Sequence, residues 1–257
     1  MTKIYRGNHS MKYIEGWSNS DNVKIHYIYN EKYDKAKVPL LVCPGLSESA
    51  EDYIKLISDL NDRRCIVLSF RGRGKSDAPK NRYTLENHIS DIESVAKKLN
   101  LNEFCIMARS RGVSYALGYS ILNSSLLKGM IIEEYPPVHK KMPKGWAEEF
   151  ISHMKDDKNY NIKYDVLKAI EKDSVQINFE GDLNKINCPI LIMKGEKEES
   201  LLSRKEIGIY VKGLKSKTIK VKCFEHDGHD VPSDNYTEFL KTIEEFLLYR
   251  DRMKISK

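Results

Sequence analysis

Glu103 to Asn123 reads EFCIMARSRGVSYALGYSILN. The run Phe104–Met107 is apolar and has the length of a buried strand. Ala108-Arg109-Ser110-Arg111-Gly112 follows, with a small residue two positions to either side of the serine. Val113, Ala116, Leu117, Ser120 and Ile121 then recur at helical spacing, which puts Ser110 just before a helix N-terminus. A strand–sharp turn–helix of this kind holds the serine Oγ out on a strained backbone, beside the positive end of the helix dipole. It also offers the N–H of Arg111 to a developing oxyanion. The small flanking residues let strand and helix pass closely at the turn.

Other runs place this unit in a larger pattern. Lys12–Trp17 and Val23–Tyr29 alternate, with Asn19–Asn22 as a turn, and predict an antiparallel hairpin with one buried face at a sheet edge. Val38–Cys43, Cys65–Phe70, Met130–Ile132, Pro189–Met193 and Thr218–Phe224 are further strands. Helical faces separate them: Tyr53 to Leu60, a long one starting near Thr84, Ser203–Val211, and a last one starting at Ser233. From 138 to 187 the pattern loosens into two helical pieces, Trp146–Met154 and Tyr164–Lys172, joined by lysine- and aspartate-rich connections. A leading hairpin followed by alternating strands and helices predicts an α/β chain with a doubly wound, mostly parallel sheet of about eight strands. The chain is expected to be one domain over 1–257, with a helical cap at 138–187 inserted after the sixth strand.

Taken together, these segments resemble the α/β-hydrolase fold over nearly the whole chain. Ala108–Gly112 stands as A-x-S-x-G where that family carries its G-x-S-x-G nucleophile elbow. The resemblance implies a chain order of serine, acid, histidine, with all three on loops at the carboxyl ends of parallel strands. Ser110 is then the nucleophile. Gly228-His229, after the last strand, matches the family's Gly-His and makes His229 the base, with His226 as its rival. In Gly195-Glu196-Lys197-Glu198 the glutamate Glu198 occupies the aspartate position of the family's G-x-x-D; Glu199 is adjacent, and Glu133 and Glu134 form a second possible acid site at the end of the sixth strand. The oxyanion hole falls to the backbone N–H groups of Leu46, in Pro44-Gly45-Leu46, and Arg111, although the histidine many relatives carry before that glycine is missing. Arg71-Gly72-Arg73-Gly74-Lys75-Ser76 resembles the family's R-G-x-G-x-S turn, with Ser69 where an aspartate is common; it is too short for a dinucleotide fingerprint and lacks the leading glycine of a phosphate loop.

The implied activity is that of an esterase-like serine hydrolase acting on an ester or related acyl bond of a small molecule through a Ser-His-Glu triad. This chemistry calls for no cofactor. Carbon–carbon bond hydrolysis, lyase chemistry and acyl transfer on the same triad are alternatives, as is a non-catalytic module that binds a small molecule or protein. The serine at the elbow disfavours a haloalkane dehalogenase. Arginine flanks Ser110 on both sides, and Arg71 and Arg73 end a neighbouring strand. Either Arg111 reaches into the pocket and favours an anionic substrate, or these arginines make ion pairs with Glu133 and Glu134.

Composition limits the other classes. With 40% hydrophobic and 31% charged residues, a chain of 257 has enough apolar surface for one good core and is not disordered. The net charge of +6 comes from lysines spread among acids with no basic–aromatic run, so nucleic acid is not an expected partner. No apolar segment reaches membrane-spanning length and no leader-like apolar region stands at the start, so membrane association is not expected and a cytoplasmic location is. The five cysteines, Cys43, Cys65, Cys105, Cys188 and Cys223, include no CxxC pair and are expected to be buried thiols. The histidines show no HxH or HxxxH spacing, so no metal site is expected. The sequence is silent on oligomeric state.

Overall fold

The computed structural model describes residues 3–6, 12–154, 162–216, 218–231 and 235–255. Its strands are β1 (Lys3–Arg6), β2 (Lys12–Ser20), β3 (Val23–Asn30), β4 (Leu40–Cys43), β5 (Cys65–Leu68), β6 (Phe104–Arg109), β7 (Leu127–Glu133), β8 (Val138–His139), β9 (Ile177–Asn178), β10 (Ile190–Gly195) and β11 (Ile219–Phe224). Its helices are α1 (Ile54–Asp59), α2 (Leu85–Lys98), α3 (Arg111–Leu122), α4 (Trp146–Met154), α5 (Tyr164–Asp173), α6 (Arg204–Gly213) and α7 (Tyr236–Ile255). The start read at Ser233 for the last helix lies outside the described residues. Among the described residues nine strands form one sheet in the order β1-β2-β3-β5-β4-β6-β7-β10-β11. From β5 to β11 all neighbours are parallel, and β1, β2 and β3 complete one edge in antiparallel pairing. The fold is the expected doubly wound, mostly parallel α/β sheet.

The parallel strands are continuous apolar runs because helices cover both faces. Along β6, Phe104, Ile106 and Ala108 pack on the side of α2, α3 and α6, while Cys105 and Met107 face α1 and α7. Helix α7 closes its side with Phe239, Ile243, Phe246 and Leu247, a stripe at i, i+4, i+7 and i+8. Burying side chains of this size is worth roughly 1.5–3 kcal/mol each. Thr84 caps α2, accepting a hydrogen bond from the Asn87 N–H at 3.3 Å.

Two expectations are corrected. β3 is covered on both faces: Ile25 and Tyr27 join the α2 side, and His26 and Ile28 are equally buried opposite them. On the second face Ile28 joins the cluster that holds Leu56 and Ile57 of α1, and His26 Nδ1 lies 3.4 Å from Ser69 Oγ. The chain at Ser69–Ser76 runs on beside β3, where Ser76 Oγ accepts from the His26 N–H at 2.8 Å and donates to the Ser69 carbonyl at 2.6 Å. The cysteines are buried except Cys223, which is exposed near the sheet edge.

Between β7 and β10 lie α4 and α5, over residues close to those read from the sequence. The short antiparallel pair β8–β9 ties together the two ends of this segment, joining Val138 to Asn178 and His139 to Ile177. The segment has a small core of its own, built on Ala147, Val166, Leu167 and Ile170. Leu46, Met142, Trp146 and Phe150 pack partly buried against that core. Among the described residues no helix is long and apolar enough to cross a membrane.

Arg71 and Asp91 form an ion pair with no exposed surface: Arg71 Nη2 donates to Asp91 Oδ1 at 2.6 Å and its Nε to Oδ2 at 3.0 Å. Removing one partner strands the other charge in the interior, which costs about 3–5 kcal/mol. Asp91→Asn is therefore expected to lose stability of that order in urea unfolding, with the carboxamide recovering a little through a neutral hydrogen bond. A loss under 1 kcal/mol would mean that water reaches Arg71.

Candidate active site

Ser110 sits at the turn between β6 and α3 with φ of 49°, a left-handed conformation uncommon for a side-chain-bearing residue. The turn is possible because Gly112 has no side chain: a Cβ there would stand 2.6 Å from the Cys43 carbonyl oxygen and closer still to that of Pro44. The end of β4 thus runs directly against the start of α3. Gly112→Ala must push apart α3 and the 44–46 segment, and 1–3 kcal/mol of destabilisation is typical of such overpacking. A lowered Tm is expected; an unchanged Tm would show that the turn has slack.

His229 follows β11, and its Nε2 lies 3.0 Å from Ser110 Oγ. The structure does not bring Glu198 to His229. The carboxylate facing His229 Nδ1 is that of Glu134, with Oε2 at 3.6 Å, just beyond hydrogen-bond length. Catalytic contacts are commonly loose without substrate. Glu134 directly follows β7, has φ of 55° and is fully buried. Its Oε1 accepts from the Gly195 N–H at 2.7 Å and the Ser200 hydroxyl at 2.8 Å, and its Oε2 from the Leu201 N–H at 2.9 Å. The 195–201 loop shows why Glu198 does not face His229. A Cβ on Gly195 would collide with the carbonyls of Asp227 and Gly228, and the Lys197 N–H donates to the Asp227 carbonyl at 3.0 Å. The loop is thereby held flat against the histidine loop, its turn closed by Ser200 N–H to Lys197 C=O, and both Glu198 and Glu199 are exposed. The loop supplies hydrogen-bond donors to the Glu134 carboxylate. His226 is exposed as well.

The amides expected for an oxyanion, those of Leu46 and Arg111, have no acceptor among the described residues. Both residues line a cavity of about 440 Å³ together with Ser110 and His229. Two side chains fix the Leu46 loop. Arg73 Nε donates to the Leu46 carbonyl at 2.9 Å, and Glu48 accepts from the Gly45 N–H at 2.6 Å and the Tyr53 hydroxyl at 2.7 Å. The cavity's outer wall is Met142, Trp146 and Phe150 from the α4–α5 segment.

Arg109, which also lines the cavity, is held by ion pairs to Asp230 at 2.7 Å, Glu48 at 3.2 Å and Glu133 at 3.6 Å. Burial pushes the Glu133 carboxyl up to about 8, against the pull of Arg109. Sequence reading missed His139 and Ser114. Ser114 donates to the Arg111 carbonyl at 2.8 Å and lies 2.9 Å from His139 Nδ1. Burial, then the nearby Arg111, holds His139 down at about 3, so it is a neutral imidazole. Nothing in the loosely patterned 138–187 segment singled it out.

Away from this site, one atom each of Glu15, His26 and Glu51 come within 4.8 Å of one another. The Lys75 ammonium already bridges Glu15 and Glu51, so the cluster carries its own cation.

The sequence profile of a family described as "alpha/beta hydrolase fold" matches residues 38–146. A cis-3-alkyl-4-alkyloxetan-2-one decarboxylase from Shewanella oneidensis is 32% identical over 114 residues, 42% of this chain and 35% of that protein. A 3-hydroxybutyrate-oligomer hydrolase from Cupriavidus necator is 27% identical over 113 residues, 42% of this chain and 39% of that protein. The match thus spans less than half the length of these relatives. Among solved structures, the esterase RhEst1 from Rhodococcus sp. ECU1013 superposes with a TM-score of 0.76 at 16% identity, over 91% of this chain and 98% of that one.

Proposed function

We propose that this chain, a member of the α/β-hydrolase fold superfamily, is a serine hydrolase that cleaves an ester or related acyl bond of a small molecule. The reading rests on one observation above the others: the 3.0 Å approach of His229 Nε2 to the Ser110 hydroxyl, at a strained turn opening into the cavity. A serine hydroxyl is a poor nucleophile until a neighbouring base removes its proton. Ser110 Oγ attacks the carbonyl carbon as its proton passes to His229 Nε2. Glu134 orients the imidazole and stabilises its protonated form, taking the part first expected of Glu198. The tetrahedral oxyanion receives the N–H groups of Leu46 and Arg111, where fixed donors avoid reorganisation. Collapse expels the alcohol, which takes the proton from His229. Water then attacks the acyl-enzyme, passing a proton to His229, and that proton goes to Ser110 Oγ as the acid departs, restoring the free hydroxyl and neutral imidazole.

The test is labelling by a fluorophosphonate probe, which phosphonylates an activated serine. Wild type is expected to label and Ser110→Ala not to. A folded wild-type protein that does not label, and that turns over no ester, favours a binding module on the same fold.

A further inference from the structure

The four arginines near the elbow divide into two pairs. Arg71 is neutralised by Asp91, and Arg109 by Glu48, Glu133 and Asp230. Arg73 and Arg111 are just as buried, at 0% and 3% exposed. Among the described residues no carboxylate stands within ion-pair distance of either. The groups around Arg111 are neutral: the Tyr115 hydroxyl at 3.1 Å from Nε, the Lys140 carbonyl at 3.1 Å from Nη1, and His139 Nε2 at 3.4 Å from Nη2. Those around Arg73 are the carbonyls of Leu46 and Arg71 and His88 Nε2, again uncharged, since burial and then Arg73 hold His88 well below its ordinary range. A guanidinium does not lose its proton to escape burial, and an unmatched buried charge is costly. Such a cost persists where the missing anion arrives with a ligand.

Arg111 lines the cavity that Ser110 and His229 open into, and Lys140 lines it too. Among the described residues Glu48 is its one carboxylate, already engaged by Gly45, Tyr53 and Arg109. The remaining wall, Met142, Trp146 and Phe150, suits a short hydrocarbon chain. The longest of the Arg111 contacts, Nη2 to His139, is the one a carboxylate displaces with least loss.

We infer that the substrate carries a carboxylate on its acyl portion and that Arg111 is its counter-ion, so that this is a site for half-esters of short dicarboxylic acids. The inference rests on the hydrolase reading for the word ester, but the cationic recess stands on its own geometry.

The experiment compares monomethyl succinate, glutarate and adipate with the neutral methyl esters of equal length. In wild type, kcat/KM for the best half-ester is expected to exceed that of its neutral partner at least tenfold, the scale of one charge-assisted hydrogen bond. That ratio is expected to shrink with added salt, to fall about tenfold in Arg111→Met, and to return in part in Arg111→Lys. A purely structural arginine gives a different result: both esters slow equally in Arg111→Met and the ratio stays fixed. Equal rates for the two esters in wild type, or a ratio untouched by Arg111→Met, overturn the inference while leaving the hydrolase reading intact. Should neither ester turn over, calorimetry on Ser110→Ala decides. Half-ester binding at least tenfold tighter than the neutral ester, lost in Ser110→Ala/Arg111→Met, supports the recess. Equal binding, or none at millimolar concentration, overturns it.

Discussion

Replacing Ser110 with alanine is expected to reduce ester turnover by about three or more powers of ten, and His229→Ala by a similar factor. A thousandfold is about 4 kcal/mol of transition-state stabilisation. The two side chains meet at 3.0 Å, Oγ to Nε2, and act as one unit: the hydroxyl is inert without the base, and the base has no proton to take without the hydroxyl. The double variant is accordingly expected to be no slower than either single one. Residual activity comes from the Leu46 and Arg111 amides, which neither change touches. Steady-state and single-turnover kinetics on one activated ester measure all three proteins. Circular dichroism and Tm show that each is folded, as expected, since Ser110 and His229 are both only partly buried. His226→Ala, at an exposed loop position, is expected to stay within about twofold of wild type. If His226→Ala is the damaging change and His229→Ala is mild, the base has been misassigned. If Ser110→Ala turns over normally, the mechanism is wrong.

How much of this was legible before folding follows from which physics each feature obeys. The elbow was legible because its cause is local: an apolar strand, a serine between small residues and a helical stripe are contiguous in Phe104–Ile121. The glycine at 112 even states its reason, the carbonyls of Cys43 and Pro44 against which α3 packs. Helices α4 and α5 were legible from periodicity alone. The pairing β8–β9 was not, because each partner is two residues long and carries no alternation to detect. The exposure of Glu198 was also out of reach. Counting from Gly195 reproduces the family spacing, but the backbone contact of Gly195 with Asp227 and Gly228 is long-range and turns Glu198 to solvent. The arginines teach the same lesson. Sequence places Arg109 and Arg111 symmetrically about Ser110, yet one lies on a strand end facing Glu133 and the other in the first turn of a helix facing His139. Only the structure separates an ion-paired guanidinium from one that, among the described residues, has no carboxylate within ion-pair distance.

Glu134→Gln is expected to lower kcat by roughly three to four powers of ten while leaving the fold intact. The carboxylate is fixed by three donors, Gly195 N–H, Ser200 hydroxyl and Leu201 N–H, and its remaining acceptor capacity faces His229 Nδ1. A glutamine of the same shape keeps more of these bonds with its carbonyl oxygen toward the Gly195 N–H and the Ser200 hydroxyl, which gives up the Leu201 bond and turns its NH₂ toward the imidazole. His229 Nδ1 then accepts instead of donating, the ring proton moves to Nε2, and the atom facing Ser110 Oγ can no longer take a proton. Even in the other orientation the neutral amide does not stabilise an imidazolium. Glu198→Gln tests the alternative assignment at an exposed position, and is expected to change kcat by less than about twofold. Fluorophosphonate labelling rates separate the base function from substrate binding: Glu134→Gln should label about as slowly as it turns over, with KM little changed. A reversed ranking, with Glu198→Gln crippled and Glu134→Gln active, would mean that the 195–201 loop rearranges in solution to carry Glu198 to His229 and that Glu134 only organises it. The left-handed backbone at Glu134 argues against that rearrangement, because a strained residue held by three hydrogen bonds is one the fold has been built to keep in place.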